Sequence, residues 1–112
     1  MPISPWYVGM TGQCFTAYCK DDSGQPFPLY NPDGTTMSAN QFTLLIKPDS
    51  GGSEIAGGGL FQVVNADIGQ VRYQPANSDV ASPGLFDIAI EIETQNSGPI
   101  YSDRDTWDIE AR

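Results

Sequence analysis

Gly84-Leu85-Phe86-Asp87-Ile88-Ala89-Ile90-Glu91-Ile92-Glu93 is the clearest alternating run in the chain. Phe86, Ile88, Ile90 and Ile92 fall on one side of an extended backbone, and Asp87, Ala89, Glu91 and Glu93 on the other, because successive side chains of a strand point to opposite faces. A run of this kind is a strand with one buried and one solvated face. Gln41-Phe42-Thr43-Leu44-Leu45-Ile46-Lys47 repeats the pattern with Phe42, Leu44 and Ile46 inward, and in Gln70-Val71-Arg72-Tyr73-Gln74 the residues Val71 and Tyr73 alternate with polar partners. No stretch carries an apolar period of 3.6 for more than two turns.

The remaining apolar runs are short, rich in β-branched and aromatic residues, and closed by Gly, Pro, Asn or Asp. They predict strands at Trp6-Tyr7-Val8, Gln13–Lys20, Phe61–Asn65, Ile100–Ser102 and Thr106–Glu110, with Trp107 and Ile109 inward in the last. In the second of these, Phe15, Ala17 and Cys19 form the core face, and Cys14, Thr16, Tyr18 and Lys20 the other. Asp21–Pro26 and Asn31–Thr36 read as tight turns, and Leu29-Tyr30 as a short edge element. Pro48–Gly59 holds five glycines and reads as a loop with no packed element; it lacks the Gly-Lys-Ser/Thr of a phosphate cradle. About seven strands spaced by turns over about 100 residues are the pattern of an immunoglobulin-like, two-sheet antiparallel β-sandwich.

The chain has 112 residues, which predicts a single domain over 1–112. Fourteen acidic against five basic residues give a net charge of −9, so a partner that is nucleic acid or an anionic membrane is not expected. The absence of histidine removes Ser-His-Asp and Cys-His catalysis and most catalytic zinc sites. A carboxylate-only glycosidase would need two acids facing across a cleft, and the nearest same-face pair, Glu91 and Glu93, is expected to face solvent. The reading is therefore non-enzymatic, with no catalytic residue, cofactor or metal. Met1–Trp6 shows neither a basic start nor an apolar run of the secretory kind, and nothing approaches the ~20 apolar residues of a membrane-spanning helix.

Cys14 and Cys19 are five residues apart in one expected strand, some 16 Å along it and on opposite faces, beyond the roughly 7 Å that a disulfide allows between Cα atoms. Both are expected to be free thiols. Trp6, Tyr7, Tyr30, Leu85 and Tyr101 supply more aromatic and apolar surface than one small sandwich hides, and these five are the candidate protein-contact residues.

Four ordered pieces, Lys20-Asp21-Asp22-Ser23-Gly24-Gln25-Pro26, Phe42–Asp49, Asp67–Tyr73 and Ser82–Ile88, resemble the immunoglobulin-like amino-terminal domain of the phage baseplate upper protein family. Tyr101-Ser102 followed by Trp107-Asp108-Ile109 resembles that family's closing strand. The likeness implies a structural or assembly module in the tail or baseplate of a bacteriophage or prophage. Such a module is made in the bacterial cytoplasm, placed in the virion, and packs against other tail proteins and copies of itself. Two other binding chemistries fit the same sequence and suit an adhesion module. Calcium would draw on Asp103, Asp105 and Asp108 or on the turn residues Asp21, Asp22 and Asp33. Carbohydrate would draw on Trp6, Tyr7, Tyr73 and Tyr101 as ring platforms.

Overall fold

A computed structural model describes residues 3–21, 23–94, 98–102 and 104–111. Among the described residues nine strands are formed: β1 (Ile3–Tyr7), β2 (Phe15–Tyr18), β3 (Phe42–Pro48), β4 (Ile55–Ala56), β5 (Leu60–Asn65), β6 (Gln70–Gln74), β7 (Gly84–Thr94), β8 (Gly98–Tyr101) and β9 (Asp105–Glu110). They make two sheets. The larger runs β1-β9-β7-β3-β4, with β8 added on β7, and the smaller runs β2-β6-β5. This is the expected two-layer sandwich of alternating strands.

The alternating run becomes β7, the central strand of the larger sheet. One side of it pairs along its length with β3, placing Leu44 opposite Ile90 and Ile46 opposite Ile88. Its other side is shared by β9 at the start, with Phe86 opposite Trp107, and by β8 at the end, with Ile92 opposite Ile100. Between these two, the Ser102 amide donates to the Ile90 carbonyl at 2.9 Å and the Ile90 amide to Ser102 Oγ at 2.8 Å. The ladder of β7 is thus continued where neither strand reaches it.

Phe42, Leu44, Ile46, Ile88, Ile90, Ile92, Trp107 and Ile109 of the larger sheet meet Phe15, Phe61, Val71 and Tyr73 of the smaller, all buried. Rings fill the centre: Phe61 and Tyr73 lie 4.7 Å apart by centroid, Phe15 and Trp107 5.2 Å, and Trp6 and Trp107 5.6 Å edge to face. Such arrangements match the charge distribution of aromatic rings, negative on the face and positive at the rim.

Three features differ from the sequence reading. First, the sandwich is not wholly antiparallel: β1 pairs parallel with β9, Trp6 opposite Ile109, a juxtaposition of the two ends of the chain that no local pattern encodes. Second, the Pro48–Gly59 stretch is not structureless throughout, because Ile55 and Ala56 form β4 against Ile46 and Leu45. The three glycines that follow are packed: the Gly57 amide donates to the Leu44 carbonyl at 2.7 Å, that of Gly58 to Asp79 Oδ1 at 2.9 Å and that of Gly59 to the Tyr73 hydroxyl at 2.8 Å. A Cβ on Gly59 would collide with the Gln74 carbonyl and the Tyr73 ring, so this approach of backbone to backbone requires glycine. Third, Ala89 shares the outward side of β7 with Asp87 and Glu91 and is nonetheless buried. Its row continues through Leu45 to Ala56. Arg104 Nη2 reaches Glu54 Oε2 at 2.8 Å, tying the chain on one side of β7 and β3 to the chain on the other.

Candidate functional site

The five candidate contact residues separate in the structure. Trp6 is corrected outright: it is 3% exposed, its ring packed against Phe15 and Trp107 and its Nε1–H donating to the Met10 carbonyl at 3.0 Å. A strand of three recognisable residues gave no alternation to follow, and the pairing with β9 turns the indole inward. Tyr7, Tyr30, Leu85 and Tyr101 are all exposed, between 39% and 57%.

These four do not form one patch. Tyr7 stands opposite Glu110 and Leu85 opposite Asp108, so both lie at one end of the outer face of the larger sheet. Tyr101 stands opposite Glu91, six residues further along β7 and thus about 20 Å from Leu85. Tyr30 lies by the smaller sheet, its hydroxyl donating to Asp67 Oδ1 at 2.6 Å. That bond holds the phenol proton and raises the Tyr30 pKa above its ordinary value, as the bond to Glu91 does for Tyr101. A shallow, open depression of about 350 Å³ is bordered by Tyr7, Val8, Gly9 and Met10.

Sequence reasoning missed a second set: Tyr18, Leu60, Val64 and Ile68 are exposed on or beside the smaller sheet, and Ile55 on β4. The signal for three of them was present. Tyr18 alternates with Phe15 and Ala17, and Leu60 precedes the inward Phe61, so both must point out. Val64 too has the outward parity of Leu60 and Gln62, and the register shift between Val63 and Asn65 leaves it exposed.

Charge is distributed unequally over the two sheets. The strands of the larger carry Asp87, Glu91, Glu93, Asp105, Asp108 and Glu110 against Lys47 alone. Those of the smaller carry one charged residue, Arg72, whose Nε–H donates to Gln62 Oε1 at 2.7 Å.

The two other chemistries lose members. Of the rings proposed for a sugar, Trp6 and Tyr73 are in the core, at 3% and 1% exposure. The turn acids are occupied by their own backbone: Asp21 Oδ1 accepts from the amides of Ser23 and Gln25 and from Ser23 Oγ, and Asp33 Oδ1 accepts from the amide and hydroxyl of Thr35. Those bonds hold both carboxyls below the usual carboxylate range. Among the described residues no three acidic, Cys or His side chains gather as metal ligands; Asp22 and Asp103 lie outside the described residues. Cys14 is exposed and Cys19 buried, both free.

No model of a known protein family matches this chain, and no curated protein matches it by sequence.

Proposed function

We propose that this sandwich is a structural or assembly module of a bacteriophage or prophage tail or baseplate, acting through protein–protein association. The observation that carries the reading is surplus apolar surface. With both sheets' inner faces filled by a continuous core, nine large apolar side chains among the described residues remain exposed, including Tyr18, Leu60, Leu85 and Tyr101. Seven of the nine, all but Tyr30 and Ile68, stand on strands, which hold a contact surface in fixed geometry at little entropic cost. The resemblance of Lys20–Pro26, Phe42–Asp49, Asp67–Tyr73 and Ser82–Ile88 to the baseplate family supplies the assembly in which such a surface is used.

The test is the protein content of purified particles. If the reading is right, mass spectrometry of tails from the phage or lysogen that encodes the chain finds it as a stoichiometric component. Its absence from intact particles overturns the reading. A melting temperature that rises with millimolar calcium or with a simple sugar, in the same preparation, would favour an adhesion module instead.

A further inference from the structure

We infer that β5 (Leu60–Asn65) is the strand through which this chain pairs with a second copy of itself. The inference rests on the association reading above and names its surface. β5 closes the smaller sheet: β6 pairs with one side of it, and on the other side it makes no backbone hydrogen bond to any described residue. An open edge is a template for another strand unless something blunts it. The other edges of the molecule are blunted or short. β1 contains Pro5 and β8 contains Pro99, neither of which has an N–H to give; β4 has two residues and β2 four. β5 has six, with no proline and no charge, and its register shift against β6 comes only after Val63, near its end. The 3₁₀ turn Ala39–Gln41 lies next to it and leaves Leu60, Gln62 and Val64 exposed.

Charge selects the occupant. Two molecules of net charge −9 repel wherever their acidic faces meet, and the larger sheet presents Asp87, Glu91, Glu93, Asp108 and Glu110 outward on β7 and β9. The smaller sheet is the surface on which they meet without that penalty, since Arg72 is its single charged residue. The nearest acid in sequence, Asp67, is held by the Tyr30 hydroxyl. The strand is also self-complementary. In an antiparallel two-fold pairing centred on Gln62, Leu60 of each copy meets Val64 of the other, apolar against apolar, with glutamine on glutamine between. Such an isologous contact closes as a dimer and joins the two smaller sheets into one of six strands.

Leu60 and Val64 are 72% and 51% exposed, so charges can be placed there without disturbing the core. The experiment measures solution mass by light scattering from micromolar to millimolar concentration for the wild type, for Leu60→Glu/Val64→Glu and for Leu60→Lys/Val64→Lys, with circular dichroism and melting temperature as folding controls. Wild type should approach twice the 12.1 kDa chain mass. Each double variant alone should dissociate about 100-fold or more readily, because like charges then face each other across the two-fold. An equimolar mixture of the two should regain the dimer. Wild type that stays monomeric at millimolar concentration overturns the inference, and so does an oligomer that both folded variants retain. Neither outcome touches the association reading, which is decided by the particle composition.

Discussion

The Tyr73 hydroxyl donates to Asp79 Oδ2 at 2.5 Å inside the sandwich, where the two residues are 1% and 7% exposed. The pair organises backbone from three places. Asp79 Oδ2 also accepts from the Ala76 amide at 3.0 Å, Oδ1 from Gly58, and the Tyr73 oxygen from Gly59. A buried carboxylate is tolerable only when such bonds replace its lost hydration. This one fastens the end of the glycine-rich stretch to β6 and to the 3₁₀ turn Asn77–Val80, fixing where β5 begins.

Tyr73→Phe tests that fastening. The ring keeps its packing on Phe15 and Phe61, while Asp79 Oδ2 loses one donor and the Gly59 amide its acceptor. Leaving buried polar groups unpaired costs about 1–3 kcal/mol, which in a domain of this size lowers Tm by roughly 4–8 °C per kcal/mol. Tyr30→Phe removes a bond from a hydroxyl at the surface and should stay within about 0.5 kcal/mol. Urea unfolding of the two variants side by side makes the comparison. Equal effects would sink the account.

Gly59→Ala should be severe and Gly12→Ala should not. A Cβ at Gly59 meets backbone that cannot yield, whereas one at Gly12 has nothing within 4 Å, and Gly12 does not have positive φ. The first should cost more than the ~1 kcal/mol separating Gly from Ala by propensity alone, and the second should be neutral or stabilise by about 0.4–1 kcal/mol. Thermal unfolding of both decides it. A tolerated Gly59→Ala would mean that the stretch is the mobile loop its composition suggests.

What the sequence made legible follows from range. β7 and β3 were readable because alternation is a property of neighbours, and Ile88, Ile90 and Leu44 had to share a face. Val71 and Tyr73 alternate with polar neighbours and share a face for the same reason. Offering Tyr73 also as a sugar platform looked only at ring chemistry, whereas its position is set by Phe15, Phe61 and Asp79. Trp6 failed because its partner, β9, is about a hundred residues away and lies parallel to it. Gly57–Gly59 resemble any flexible stretch until the hydroxyl and carboxylate that receive their amides are in place. Of the contact residues, Leu85, Tyr7, Tyr30 and Tyr101 are exposed as expected. That they fail to converge could be seen only from the strand order.

Alkaline pH should destabilise the fold through Cys19 first. Burial pushes its thiol up from 9.0 to about 11, so the folded state favours the neutral form. A group whose pKa is raised on folding contributes fully below its unfolded value and loses that contribution as pH rises through the folded one. The loss therefore runs from about pH 9 to about 11, worth at most about 3 kcal/mol. Tyr73, raised by burial and by its bond to Asp79, adds a loss of the same sign from about pH 10 upward. Urea midpoints across this range should fall, and Cys19→Ala should flatten the earlier part. At neutral pH a thiol reagent should titrate Cys14 at once and Cys19 only on unfolding. Immediate reaction of both thiols in the folded protein would contradict the burial of Cys19.

Trp6 separates a core role from a contact role most directly. It and Trp107 are the two tryptophans of the chain, 3% and 0% exposed, so the fluorescence of the native protein should be blue-shifted and nearly insensitive to iodide. Trp6→Ala empties a volume bounded by Phe15 and Trp107 and strands the Met10 carbonyl. Large-to-small changes of this kind cost about 3–5 kcal/mol, a large part of the stability of a domain this size. A contact residue on the surface would behave in the opposite way: iodide would quench it, and its removal would weaken association while leaving Tm nearly unchanged. Trp6→Phe keeps the edge-to-face packing against Trp107 and gives up only the indole bond to Met10, so it should recover most of the stability lost in Trp6→Ala. The order wild type, Trp6→Phe, Trp6→Ala in unfolding midpoint, with unchanged solution mass for the folded variants, is the signature of a tryptophan that closes the core between the two ends of the chain.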